Sequence, residues 1–360
     1  FKLKKYQNYN ENIFDYYKNI RFSKRAQVEI QFNWIFAFII GAVILTIGIN
    51  IISKINTSSQ QSLSIDLQTH LDSMIGNIQY DLETQNSFDL YGQEIYLDCN
   101  NYFLKESEKL SKSIENSIIF SPNHIKKEML SFSKLIEQPN KFAYATFITS
   151  PDIKYIFLDS SYSKLLINEL PNNIDVSIQN DISKIKKSGY YKLNIITFGI
   201  IPNSQSLNPT DTDNENITLI YVDILRDKGN FPNSFGIVSF YKKINNQFQL
   251  VDESYFFDPV TLLGAIYSEN KENHMCNLHK SIKKLNLISK IKLDRANDFS
   301  NTIKLKNCPY TKSIDLLNQL ILKTNEPSDT KTYFEDIYIR STLIKQENNM
   351  LKRLSCPLLY

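Results

Sequence analysis

Glycine is scarce in this chain: 9 residues in 360, at positions 41, 48, 76, 92, 189, 199, 229, 236 and 264, never closer than seven apart. Phosphate-binding loops need clustered glycines so that the backbone can approach the ligand. The spacing therefore excludes both a G-x-G-x-x-G dinucleotide fingerprint and a G-x-x-x-x-G-K loop. It excludes a G-x-S-x-G nucleophile elbow as well, so no serine-hydrolase set forms around His70, His124, His274 or His279. A dominant charge is also missing. The 41 Lys+Arg against 38 Asp+Glu leave a net +3, too little to mark a nucleic-acid partner. No cofactor follows from any motif. Hydrophobic residues make up 42%, enough for a sizeable core, and 360 residues fit about two ordinary domains.

One stretch lacks charge altogether. Phe32–Ile52 reads FNWIFAFIIGAVILTIGINII, 21 residues without Asp, Glu, Lys or Arg. At 1.5 Å per residue they cover roughly 30 Å, the thickness of a bilayer's hydrocarbon core. Trp34 stands near one end, where an indole suits the headgroup boundary. Seven basic residues (Lys2, Lys4, Lys5, Lys18, Arg21, Lys24, Arg25) precede the run against Glu11, Asp15 and Glu29. The positive-inside rule then places residues 1–31 in the cytoplasm and 53–360 outside, in a bitopic protein of the cell membrane. A removable secretory signal is the rival reading, but the run is long for one and no small-x-small cleavage pattern follows closely. The net +3 is thus an orientation signal, +4 before the span and −1 after it. Within the span, Ala37 and Gly41 form a small-x-x-x-small pair with Gly48 further along, a face on which two helices can approach. Membrane lipid, a second copy and other envelope proteins are the expected partners.

All four cysteines, Cys99, Cys276, Cys308 and Cys356, follow the span. An even number in an exported domain favours two disulfides, in any of three pairings. Four buried thiols are the plainer alternative.

The segment Lys24-Arg25-Ala26-Gln27-Val28-Glu29-Ile30-Gln31-Phe32 resembles an archaeal class III, prepilin-type signal. That resemblance implies cleavage between Ala26 and Gln27. The family's usual Glu at the fifth mature position is Gln31 here, with Glu29 third. More of the chain is similar to uncharacterised single-pass membrane proteins of small-genome archaea. The similar stretches are RAQVEIQFNWIF (25–36), NSIIFSP (116–122), FITSPDIKYIFL (147–158), LLGAIYSENKENHMCNLHKSIKKLN (262–286) and NNMLKRLSCPLLY (348–360). This second resemblance implies an envelope protein and no particular chemistry.

After the span, Leu67, Leu71, Met74, Ile75 and Ile78 recur at helical spacing, so a helix is expected over 53–82. A hairpin around Gly92 is expected at 88–98. Strands rich in Ile, Tyr, Phe and Val are expected at 117–120, 142–149, 154–159, 175–178, 190–198, 218–223, 235–241 and 248–251. Helices are expected between them at 123–137, 162–169 and 181–187. The polar stretch 200–216 reads as a surface loop, ending at the glycosylation sequon Asn216-Ile217-Thr218. Beyond Pro259 the pattern is helical, with segments after 259, at 312–324 and at 331–354, the last repeating Ile337, Ile344 and Leu351 every seven residues. On the first of these, Met275, Leu278, Ile282, Leu285 and Ile288 form an apolar face. Lys280, Lys283, Lys284, Lys290 and Lys292 decorate the rest, either as a solvated face or as one meeting acidic lipid or polymer. The expected fold class is α/β: a transmembrane helix, a mixed sheet with packed helices, and a helical C-terminal part. The expected divisions are 1–31, 32–52, 53–113, 114–255 and 256–360.

Two constellations could carry chemistry. Asp159-Ser160-Ser161-Tyr162-Ser163 follows an apolar strand and fits the D-x-S-x-S pattern of von Willebrand A domains. There Asp159, Ser161 and Ser163 would offer hard oxygen ligands to Mg²⁺, with Asp223 as a further carboxylate. The competing reading is a capped helix start. His274, Cys276 and His279 are zinc-ligand types within six residues, unless Cys276 is oxidised. No catalytic set is recognisable. The sequence therefore reads first as an envelope protein whose outer α/β domain serves interaction or architecture. A pilin-like subunit processed before Gln27, and a metal-dependent binder or ectoenzyme around Asp159, are the alternatives.

Overall fold

The computed structural model describes residues 24–78, 85–105, 111–137, 141–171, 173–180, 190–199, 216–227, 234–244, 247–302 and 308–359. The chain divides into two compact units, Phe1–Ile65 and Asp66–Tyr360.

Helix α1 (Lys24–Ile78) dominates the first unit. From Trp34 to Lys54 it is apolar and none of its side chains is buried, so it is long and apolar enough to cross a membrane. Within this stretch Thr46 donates its Oγ1 proton to the Ala42 carbonyl at 2.7 Å, which satisfies the group without solvent.

The second unit is mixed α/β with two sheets. Its strands are β1 (Asn86–Leu97), β2 (Asn101–Leu104), β3 (Lys112–Ser113), β4 (Ile119–Phe120), β5 (His124–Ile136), β6 (Ala143–Thr149), β7 (Ile153–Leu158), β8 (Val176–Gln179), β9 (Lys192–Phe198), β10 (Ile217–Asp227), β11 (Ser234–Ile244) and β12 (Gln247–Phe256). The helices are α2 (Ser161–Ile167), α3 (Pro259–Ser268), α4 (Lys271–Asn301), α5 (Thr311–Asn325) and α6 (Lys331–Arg353). The first sheet has the order β3-β2-β1-β5-β6-β4 and is antiparallel except for β4 beside β6. The second has the order β12-β11-β10-β9-β7-β8. In it β8, β7, β9 and β10 run parallel, and β10, β11 and β12 close one side as antiparallel neighbours. This second sheet is the mixed sheet expected from the alternating pattern, and α2 is the crossover between β7 and β8.

Two expectations fail for identifiable reasons. Residues 123–137 form the central strand β5, not a helix. Its middle, Met129 to Ser133, is buried on both faces between β1 and β6. Such a strand loses its alternation of apolar and polar residues and reads like a buried helix. Gly92 makes no hairpin either. Strand β1 continues through it with a bulge, the register passing from Asp89↔Glu128 to Glu94↔Lys126. Tyr91 (φ 49°), Gly92 (φ 80°) and, opposite, Lys127 (φ 60°) take left-handed backbone there. The tight turn comes later, where Asp98 Oδ1 accepts from the Asn100 and Asn101 amides at 2.7 and 2.6 Å. The helix expected at 181–187 and nearly all of the loop at 200–216 lie outside the described residues. In the stripe after the span, Leu67 and Leu71 are buried as expected. The side chains of Met74, Ile75 and Ile78 lie outside the described set.

The core closes around α3. From Thr261 to Ser268 every residue of this helix is buried. Tyr267 touches both sheets: its ring lies 5.6 Å from Phe132 and 5.5 Å from Phe147 in the first, and 5.2 Å from Tyr155 in the second. The helix starts at a capping box, with Asp258 Oδ1 accepting from the Thr261 amide at 2.7 Å, and with Pro259 in its first turn. It ends at Glu269, which takes a left-handed backbone (φ 59°) and returns its amide to the Ala265 carbonyl.

Helix α4 then binds the first sheet. The Asn277 side chain accepts from the Ile119 amide at 3.0 Å and Asn273 donates to the Ser121 carbonyl at 2.8 Å, holding the two-residue β4. One face of α4 also carries the disulfide Cys99–Cys276 and, four residues on, Lys280. The buried Lys280 ammonium donates to the carbonyls of Cys99, Ile114 and Ser117, and burial pushes its pKa down to about 8. The disulfide Cys308–Cys356 ties the start of α5 to the end of α6, and the Ile337, Ile344 and Leu351 repeat packs into the same core.

Gly264 sets a steric test of this packing. A Cβ there would meet the Phe120 ring at 2.7 Å. In an exposed helix Gly→Ala stabilises by about 1 kcal/mol. Here overpacking wins, and Gly264→Ala should lose about 1–3 kcal/mol in denaturant unfolding. Phe120→Leu in the same chain should recover part of the loss.

Candidate functional site

An open cleft of about 660 Å³ lies between β5, α2 and the start of α3, lined by Phe132, Lys134, Glu137, Leu165, Leu170 and Asp258 among others. Its size suits a small ligand or a partner's side chains. Strand β5 contributes Phe132 and Lys134, and the turn after α2 contributes Leu170 and Glu169. Lys134 pairs with Glu169 at 2.7 Å across the cleft. At its floor the buried Asp258 carboxylate accepts from the Thr261 hydroxyl at 2.8 Å and the Glu137 amide at 3.3 Å. Burial raises this carboxyl above the usual range, against the pull of those donors. The cleft's described lining holds no His or Cys and one hydroxyl residue, Ser133.

A second polar cluster lies in the interior, and the sequence reading missed it. Glu269, buried at the end of α3, pairs with Lys192 and accepts from Asn194 Nδ2 at 2.5 Å. Burial holds the Lys192 ammonium below the usual lysine range. Nearby, the Thr149 and Tyr155 hydroxyls bond at 2.7 Å. The available signal was Lys192 and Asn194 alternating with Leu193 and Ile195 in a strand rich in apolar residues. The pair joins β9 to the α3–α4 junction, a positioning role.

The D-x-S-x-S residues form a helix start. Ser160 caps α2 by accepting from the Ser163 amide at 3.0 Å, and Ser163 Oγ donates to the Leu158 carbonyl at 2.5 Å. Asp159 pairs with Lys164 at 3.0 Å, and Ser161 is exposed. Asp223 lies on β10, two strands away from β7, a backbone separation of about 10 Å by strand spacing. Among the described residues no group of three or more His, Cys, Asp or Glu is placed to hold a metal ion.

The zinc-type triplet is dispersed. Cys276 is in its disulfide, and His279 sits 3.1 Å from Asp329. His274 is fully buried. Its Nε2 lies 2.9 Å from the Thr261 carbonyl, which can only accept, so Nε2 carries the proton. Nδ1 therefore accepts from the Ser254 hydroxyl, 2.6 Å away. Both nitrogens are engaged in the neutral ring, and burial pushes its pKa down to about 3. All four cysteines are paired, as Cys99–Cys276 and Cys308–Cys356. Gly41 and Gly48 lie on the exposed part of α1, where an added Cβ would meet nothing. Ala26 and Gln27 fall within α1, with side chains outside the described set.

No family model, curated protein or solved structure matches the chain.

His274 generates a pH test. Its folded pKa of about 3 lies below the unfolded value near 6.5, so between these limits the unfolded chain binds the extra proton. Stability is therefore full above pH 6.5 and falls toward pH 3, by up to about 1.4 kcal/mol per pH unit. His274→Gln should be less stable at pH 7, and its acid limb should be flatter when unfolding is followed from pH 7 to pH 4.

Proposed function

We propose that this is a single-pass envelope protein. In this reading residues 34–54 cross the membrane, the basic segment before them is cytoplasmic, and the unit from Asp66 onward stands outside as a binding or architectural domain. One observation carries the reading: an apolar helix with no buried side chain from Trp34 to Lys54 precedes a domain whose four cysteines are all in disulfides. An apolar face of that length is poorly solvated by water. Disulfides persist in oxidising compartments, on the far side of the membrane from the cytoplasm. The excess of Lys and Arg before the helix supports the same orientation. The cleft at β5, α2 and α3, built from engaged charges and apolar walls, supports binding over turnover.

The test is protease treatment of intact cells expressing the chain with an epitope at each end. The C-terminal epitope should be lost and the N-terminal one retained until the membrane is permeabilised. A protected C-terminus would overturn the orientation.

A further inference from the structure

The outward face of α4 joins two features that rarely share a surface. Leu287 and Ile291 are 59% and 53% exposed. Asn286 ties this helix to the end of α5 by donating to the Ile321 carbonyl at 3.1 Å. The next residue, Leu322, is 71% exposed, and Leu322 and Leu287 are the two most exposed aliphatic side chains of the described domain. Around this apolar ridge stand Lys283, Lys284, Lys290 and Arg295, one to two helical turns apart. Lys283, Lys284 and Lys290 make no ion pair with a described residue, and these three cations stand together on one helix face beside the exposed aliphatics. The exposed acidic groups of this face are Asp294 and Asp298 on α4, with Asp315 and Glu326 one to two turns from Leu322 on the α5 side. Lys280, which the sequence grouped with these lysines, is buried against the loop carbonyls and takes no part. A solvated helix face needs cations but not three exposed aliphatics among them.

We infer that this α4–α5 face docks on an anionic bilayer surface, the lysines meeting headgroup phosphates and Leu287, Ile291 and Leu322 entering the acyl boundary. Unpaired cations flanking an aliphatic ridge match that interface in both charge and polarity. A partner protein offering only an apolar groove would meet the ridge and leave the lysines unengaged, whereas a bilayer surface engages both. The inference rests on the membrane-anchored reading, which puts a bilayer within reach of the domain.

The experiment reconstitutes the full chain in nanodiscs of phosphatidylcholine alone or with phosphatidylglycerol. Acetylation of single lysines is then followed by mass spectrometry, with the exposed Lys127 as the internal control. Lys283, Lys284 and Lys290 should react at least threefold more slowly, relative to Lys127, in the anionic discs. Leu287→Ser with Leu322→Ser should remove most of that protection without unfolding the domain. Equal reactivity in both discs overturns the docking and leaves the anchor standing. Slowing that follows protein concentration in both lipids also overturns it, in favour of a protein contact. A chain that does not stay with the discs overturns the anchor reading and this inference together.

Discussion

Helix α3 is apolar on every side, and the domain is organised by the need to bury it. A helix with a polar face can rest on one sheet. One reading PVTLLGAIYS has no such face and must be enclosed. The two sheets supply the enclosure, and Tyr267 touches aromatic rings of both. Enclosure also removes water from the helix ends, where free amides and carbonyls need partners. The capping box at Asp258 serves one end. The left-handed Glu269, anchored by Lys192 and Asn194, serves the other. Two of the domain's buried charges, Asp258 and Glu269, are consequences of this one burial.

Helix α4 continues from that fixed end and determines what the rest of the chain does. Its inner face holds β4 through asparagines, the first sheet's loop through Cys276 and Lys280, and the β12–α3 corner through His274. Its later turns hold α5. With the inner face so fully engaged, the outer face is presented in one orientation, a property a docking surface requires. The disulfide Cys99–Cys276 closes a loop of 177 residues across these contacts, which limits the unfolded chain more than any local crosslink could. The two disulfides fit an extracellular domain.

Much of this was legible in the sequence. Strands rich in Ile, Tyr and Phe stood out for the second sheet because Pro, Gly, Asn and Asp bound them, and the C-terminal helices stood out by their 3.6-residue periodicity. What could not be read was long-range. Strand β5 mimicked a helix because both its faces are covered, and Gly92 marked a bulge because β1 has partners on both sides. Of the candidate sites, the cysteines were recognisable by number but not by pairing, which depends on which elements α4 reaches. His274, Ser160 and Ser163 have the composition of ligands, yet the fold uses their hydrogen bonds to fix backbone. The cleft at β5, α2 and α3 draws on residues from 85 to 260 and has no local signature at all.

The central claim is that the domain from Asp66 onward closes around α3 and is locked there by two specific crosslinks. Peptide mapping of the full chain, isolated from membranes without reductant and with free thiols blocked at lysis, tests it most directly. The account predicts peptides joined as Cys99 to Cys276 and Cys308 to Cys356, with no blocked thiol at any of the four. Blocked thiols at these positions would contradict export, and a Cys99 to Cys308 or Cys99 to Cys356 link would contradict the fold.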